Sequence, residues 1–109
     1  MAIQTDNRLI ESTGISEIQW EQIFNVLRQH PSMTRAILFG SRAMGTYSPS
    51  SDIDLALVGV EDELKAASIA SELEELPLPY KFDVLALSAI EFQPLLEHIE
   101  RVGLSVYLR

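Results

Sequence analysis

The spacing of apolar and polar positions changes several times along this chain, and each change marks an element. Trp20, Ile23, Phe24 and Leu27 recur at i, i+3, i+4 and i+7, the stripe of an amphipathic helix. Ser16 stands as its N-cap with Gln19 three residues on, a capping box, and Ile15 and Trp20 occupy the hydrophobic-staple positions. Pro31 stops it. The run Ala36-Ile37-Leu38-Phe39 reads as a buried strand ended by Gly40, and residues 46–51 form a loop rich in turn formers. From Asp52 to Val58 the pattern alternates, with Ile53, Leu55 and Leu57 on one face and Asp52, Asp54, Ala56 and Val58 on the other. A second helix is expected over Asp62 to Leu76, striped by Ala66, Ile69, Ala70, Leu73 and Leu76 and closed by Pro77 and Pro79. A third strand follows over Tyr80 to Leu87 and contains Asp83. Ser88-Ala89-Ile90-Glu91 reads as another capping box, Pro94 marks a helix start, and Leu95, Leu96, Ile99 and Val102 form its stripe up to the stop at Gly103. Residues 104–108 can add a short strand.

The predicted order is therefore helix, strand, strand, helix, strand, helix, an α/β (α+β) chain with one short sheet. Residues 1–13 carry little pattern and are expected to be a loose N-terminal arm. At 109 residues a single domain is expected over 1–109, with enough surface to bury one core without staples. The chain has no cysteine, which excludes disulfides, zinc-thiolate sites and cysteine nucleophiles. No leader-like or membrane-length apolar run is present, so a cytoplasmic protein is expected. A net charge of −8 with scattered basic residues argues against nucleic-acid binding. Isolated apolar positions such as Leu78, Tyr80 and Tyr107 are candidates for an interface, although single exposed ones are ordinary.

Two features stand outside the packing pattern. The turn Gly40-Ser41-Arg42 leaves the first strand, and ten residues (42–51) separate Ser41 from Asp52, which with Asp54 lies at alternating positions of the second. Alternate residues of a strand point the same way and lie roughly 6.5 Å apart. Two negative charges on one face repel unless a cation sits between them. Oxygen-only ligands suit Mg²⁺, with Mn²⁺ the alternative. Asp83, a lone carboxylate in an apolar run, is rarely found buried without a partner. Phosphoryl or nucleotidyl transfer with two ions needs carboxylates that clamp cations about 3.5–4 Å apart. Asp52 and Asp54 can supply the bridging ligands, while Asp83 can complete the second site and accept a hydroxyl proton. Gly40 permits close backbone approach to a phosphate, Ser41 adds a hydroxyl donor, and the Arg42 guanidinium suits phosphate oxygens.

Each piece alone has a plainer reading. A Gly-Ser turn after a strand is usually only a turn, Asp-x-Asp is common on solvated edges, Asp83 could cap a loop, and Arg42 could be a surface or salt-bridging residue. In combination, within one short α/β unit, they point to chemistry. The joined pattern "LFGSRAMGTYSPSSDIDLAL", with "KFDVLAL" and "IERVGLSVYL" after it, resembles the nucleotidyltransferase superfamily that includes DNA polymerase beta. It is most similar there to the small, stand-alone minimal nucleotidyltransferases (MNT) of prokaryotes, and the likeness runs from about Ile18 to Tyr107. The resemblance implies a short mixed sheet with helices packed on one face. It also implies triphosphate binding at Gly40 and Ser41, metal ligation by Asp52 and Asp54, and a third catalytic carboxylate at Asp83.

Larger relatives carry a helical domain for the acceptor, for which this chain has no room. In the similar small proteins a HEPN-type helical partner forms a toxin–antitoxin pair with the nucleotidyltransferase, and some pairs work by transferring AMP from ATP to a tyrosine of the toxin. The resemblance thus implies an antitoxin that uses ATP or another nucleoside triphosphate with Mg²⁺, in a hetero-oligomer with a HEPN protein. Two other readings stay open: a small-molecule nucleotidyltransferase whose partner supplies the acceptor pocket, and a non-catalytic module that binds nucleotide or masks a partner.

Overall fold

The computed structural model describes residues 12–108. Helix α1 spans Glu17–Leu27, β1 Arg35–Phe39, the short α2 Ser41–Met44, β2 Ile53–Val58, α3 Glu63–Glu74, β3 Phe82–Ala86, α4 Gln93–Val102 and β4 Leu104–Leu108, with a turn of 3₁₀ helix at Leu87–Ala89. One mixed four-stranded sheet results, in the order β3-β2-β1-β4. β1 pairs antiparallel with β2 and with β4, while β2 and β3, joined through α3, run parallel.

Helix α1 forms for the reasons its sequence gives. Ser16 Oγ accepts the Gln19 N–H at 3.2 Å and Gln19 Oε1 accepts the Ser16 N–H at 3.0 Å, so the capping box is complete. Trp20, Ile23, Phe24 and Leu27 are buried in one cluster with Ile15, the expected staple partner. Asp62 caps α3 through the Lys65 N–H, and Ala66, Ile69 and Leu73 join the same cluster. The helix is shorter than expected: Glu75 keeps helical dihedrals, but its N–H and that of Leu76 bond to Glu72 O and Leu73 O, a tightened closing turn ahead of Pro77.

Helices α1 and α3 therefore cover one face of the sheet, against Ala36, Leu38, Ile53, Leu55, Leu57, Val84, Ala86 and Val106. The alternation read in β2 is the observed one: Ile53, Leu55 and Leu57 are fully buried on that face. Helix α4 lies on the opposite face, where Ile99 packs with Ile37, Phe39 and Ala56 in a smaller cluster.

Three expectations need correction. The segment Ser88-Ala89-Ile90-Glu91 caps no helix: α4 begins at Gln93 after an N-cap, Phe92, that has no capping side chain, and Ser88 Oγ donates to Val60 O instead. Pro94 does sit in the first turn of α4, where its missing N–H costs nothing. The loose arm expected over 1–13 lies outside the described residues up to position 11, but Thr13 is fully buried, its hydroxyl accepting the Trp20 Nε1–H at 3.3 Å. Of the proposed interface residues, Tyr107 is buried against Phe24, and Tyr80 is half-buried with its hydroxyl donating to Gln19 Oε1 at 2.9 Å. Among the described residues, the exposed large apolar ones are Ile18, Met44, Leu64, Phe92 and Leu108.

Candidate active site

The sheet register brings together what the sequence scattered. Asp54 stands opposite Phe39 on β1 and opposite Asp83 on β3, so one row across three strands reads Phe39, Asp54, Asp83. Neighbouring strands lie about 4.8 Å apart, and directly paired residues share a face. That face also carries Ile37 and Ala56, so it is the one under α4. Asp52 lies just before β2, exposed, two positions from Asp54 and on the same side by alternation. Asp83 is exposed at the edge of the sheet and Asp54 is half-buried between the strands.

Among the described residues the carboxylates do not already close into a three-member ligand cluster. They share a sheet end and a field. That field is felt at Asp54, whose carboxyl is pushed up to about 6 by burial first, then by the charges of Asp83 and Asp52. The donor set is all oxygen, and its members repel one another. It fits a hard divalent cation, which would relieve the repulsion.

The β1 row ends in Gly40, with φ 75° and ψ −158°, a backbone state open in practice only to glycine. A Cβ there would lie 2.2 Å from Asp54 Oδ2. The glycine and the carboxylate are thus matched parts of one turn. Ser41 follows as the first residue of α2, half-buried beside them.

Arg42 departs from expectation. It is 1 % exposed, and its guanidinium serves the protein itself. Nη1 donates to Thr13 O at 2.7 Å, while Nε and Nη2 donate to Ser51 O at 3.2 and 3.1 Å. Nη2 also lies near the carbonyls of Ser48 and Pro49, and the rings of Tyr80 and Tyr47 flank the group at 4.7 and 5.1 Å. A guanidinium whose donors meet protein carbonyls is not free to grip a phosphate. Arg42 instead holds the loop that delivers Asp52. Among the described residues it has no salt-bridge partner, and at 1 % exposure it is not a surface residue.

A model of the family described as polymerase beta nucleotidyltransferase matches residues 21–109. The chain belongs to that family. Among solved structures, this nucleotidyltransferase is similar to a chain of a toxin–antitoxin crystal structure with AMP-PNP, at 25% identity and a TM-score of 0.69, covering 83% of this chain and 73% of that one. It is also similar to a chain of a complex of tri-AMPylated Shewanella oneidensis HEPN toxin with MNT antitoxin, at 21% identity and a TM-score of 0.65, over 85% of this chain and 72% of that one. A crystal structure of a putative nucleotidyltransferase from Sulfolobus solfataricus matches at 20% identity and a TM-score of 0.58, over 98% of this chain and 93% of that one. No curated protein matches the chain. Among the described residues of this nucleotidyltransferase, no helix is long and apolar enough to cross a membrane.

Two neighbours of the site escaped the sequence reading. Thr13 supplies a carbonyl to Arg42, and His98 of α4 accepts the Gly40 N–H on Nε2 at 3.1 Å. Neither partner is near in sequence, and neither lies on a helix stripe, so periodicity gave no signal for them.

Proposed function

We propose that this nucleotidyltransferase transfers AMP from ATP to a hydroxyl of a partner protein, a tyrosine of a HEPN-type toxin, and so acts as the antitoxin of the pair. The observation that carries the nucleotidyl-transfer reading is the row that places Asp54 beside Asp83 and directly behind Gly40. Support for the toxin–antitoxin pairing and for an adenine nucleotide comes from the likeness, at 25% identity, to a toxin–antitoxin structure with AMP-PNP.

In this mechanism Gly40 and Ser41 hold the triphosphate: the glycine lets the backbone come close, and the serine hydroxyl and N–H donate to phosphate oxygens. Asp52 and Asp54, with Asp83 completing the set, would hold divalent cations, two Mg²⁺ ions with Mn²⁺ as a substitute. Bound there, such ions would supply charge neutralisation for the triphosphate and a lowered pKa for the attacking hydroxyl. The acceptor oxygen forms a bond to the α-phosphorus as the α–β anhydride bond breaks and pyrophosphate leaves. Asp83 takes the hydroxyl proton and, being exposed, passes it to water. Arg42 stays out of the reaction and keeps the Asp52 loop in place.

The test is to incubate the chain with Mg²⁺, labelled ATP and the product of its neighbouring gene. Label should appear on the neighbour and vanish with Asp52→Asn, Asp54→Asn. An unlabelled neighbour, with transfer to a small alcohol instead, would overturn the acceptor assignment. Neutralisation of the neighbour that survives the double change would make the chain a binder rather than an enzyme.

A further inference from the structure

We infer that His98 is a positioning residue of the nucleotide site, fixing the Gly40 peptide from which the phosphate-binding turn departs. This rests on the function proposed above, and nothing in the sequence motif includes it.

His98 and Gly40 are 58 positions apart, yet Nε2 accepts the Gly40 N–H at 3.1 Å. An acceptor nitrogen carries its lone pair, so this contact assigns the neutral ring with its hydrogen on Nδ1. The ring is placed by its surroundings. It meets Phe39 edge-on, with centroids 6.2 Å apart and planes at 83°, and the next residue, Ile99, is buried against Ile37 and Phe39. Helix α4 thus reaches Phe39, the last residue of β1, and Gly40 just after it, and it does so on the face that carries Asp54 and Asp83.

Gly40 needs such a restraint. As a glycine it reaches φ 75° and ψ −158° without a Cβ penalty, but it reaches other peptide orientations as readily, so its surroundings must select this one. Asp54 closes the space on the Cα side, and His98 engages the N–H side. With both in place the Phe39–Gly40 peptide has one orientation, and Ser41 starts α2 from a fixed point. Without the acceptor, the turn is free to sample other peptide orientations, and nucleotide binding must select the competent one. The expected signature is weaker binding, with little change in the rate once nucleotide is bound.

The experiment compares the wild-type chain with His98→Phe, which keeps a ring against Phe39 but no acceptor, and His98→Gln, which restores one. Three readouts are taken: exchange of the Gly40 amide by NMR, Mg·ATP affinity by calorimetry, and KM against kcat for nucleotidyl transfer. In the wild type the Gly40 amide should be protected from exchange. His98→Phe should abolish that protection and weaken Mg·ATP binding about tenfold, the scale of one lost hydrogen bond, raising KM while kcat holds. His98→Gln should recover a large part of the affinity. An unprotected wild-type amide would overturn the inference whatever the variants do, as would a folded His98→Phe that binds Mg·ATP like the wild type. A wild-type chain that binds no Mg·ATP would overturn the proposed function instead, and the amide readout would still judge His98.

Discussion

A Cβ placed on Gly40 would lie 2.2 Å from Oδ2 of Asp54, so the turn after β1 and the central carboxylate of β2 occupy one another's space. Gly40→Ala therefore meets two penalties, the clash and a φ of 75° that a side chain rarely adopts. The variant should lose about 1–3 kcal/mol of stability and displace the Asp54 carboxylate. Thermal melting should register the first effect, and loss of Mg·ATP binding in calorimetry the second.

The Asp54 carboxyl is pushed up to about 6, so the folded chain binds its proton more tightly than the unfolded chain does. Stability from this group is then greatest at low pH, falls as pH rises from about 4 through 6, and stays reduced above. Asp54→Asn removes the repulsion at every pH. Without divalent cations at pH 7.5 it should raise stability by on the order of 1 kcal/mol, after allowance for solvent screening, and the gain should shrink at pH 4. Nucleotidyl transfer should disappear in the same variant. Melting curves at the two pH values decide the matter, and a variant less stable than the wild type at pH 7.5 contradicts it.

Arg42 is a structural hub in place of the phosphate ligand that its sequence position suggests. Arg42→Lys keeps the charge but loses the planar fork and the stacking on Tyr47 and Tyr80. It should cost about 2–3 kcal/mol, as buried carbonyls lose their donors. Hydrogen exchange should rise in residues 46–51 and around Thr13, the segments whose carbonyls it holds. Saturating nucleotide should not restore that protection.

Gly103 closes α4 with ordinary negative φ, and its constraint is space: a Cβ would lie 2.4 Å from Ile99 O and 2.7 Å from Ile37 Cγ2. Gly103→Ala should push the end of α4 away from the sheet at a cost of about 1–3 kcal/mol. Because His98 rides on that helix, the amide resonance of Gly40 should shift although the substitution lies far along the chain. An unmoved Gly40 resonance would show that α4 and the turn are not mechanically linked.

What could be read from the chain was whatever repeats locally. The stripe Trp20, Ile23, Phe24, Leu27 and the alternation Ile53, Leu55, Leu57 each report one element packed on one side, and both are seen. The pairing of Asp54 with Asp83 was legible as a suspicion, because a carboxylate in an apolar run asks for an explanation, but the register itself is a long-range fact. Residues whose partners are distant were misread. Ser88 resembled a helix cap but its hydroxyl serves Val60, and Arg42 resembled a phosphate ligand because nothing near it in sequence predicts Thr13 O. A cap or a guanidinium is defined by what it touches, and touching is decided by tertiary packing.

The parallel pairing of β2 and β3 has a practical consequence. Asp54 and Asp83 are spaced by a hydrogen-bonded backbone ladder, which works as a fixed calliper. Of the outward residues of the connecting α3, Glu74 accepts the Phe82 N–H at 3.1 Å, next to Asp83, and helps to seat that strand, while Leu64 points to solvent at 84% exposure. A polar residue or a label at Leu64 should accordingly leave the jaw of the instrument unmoved, whereas a change at Glu74 should loosen it.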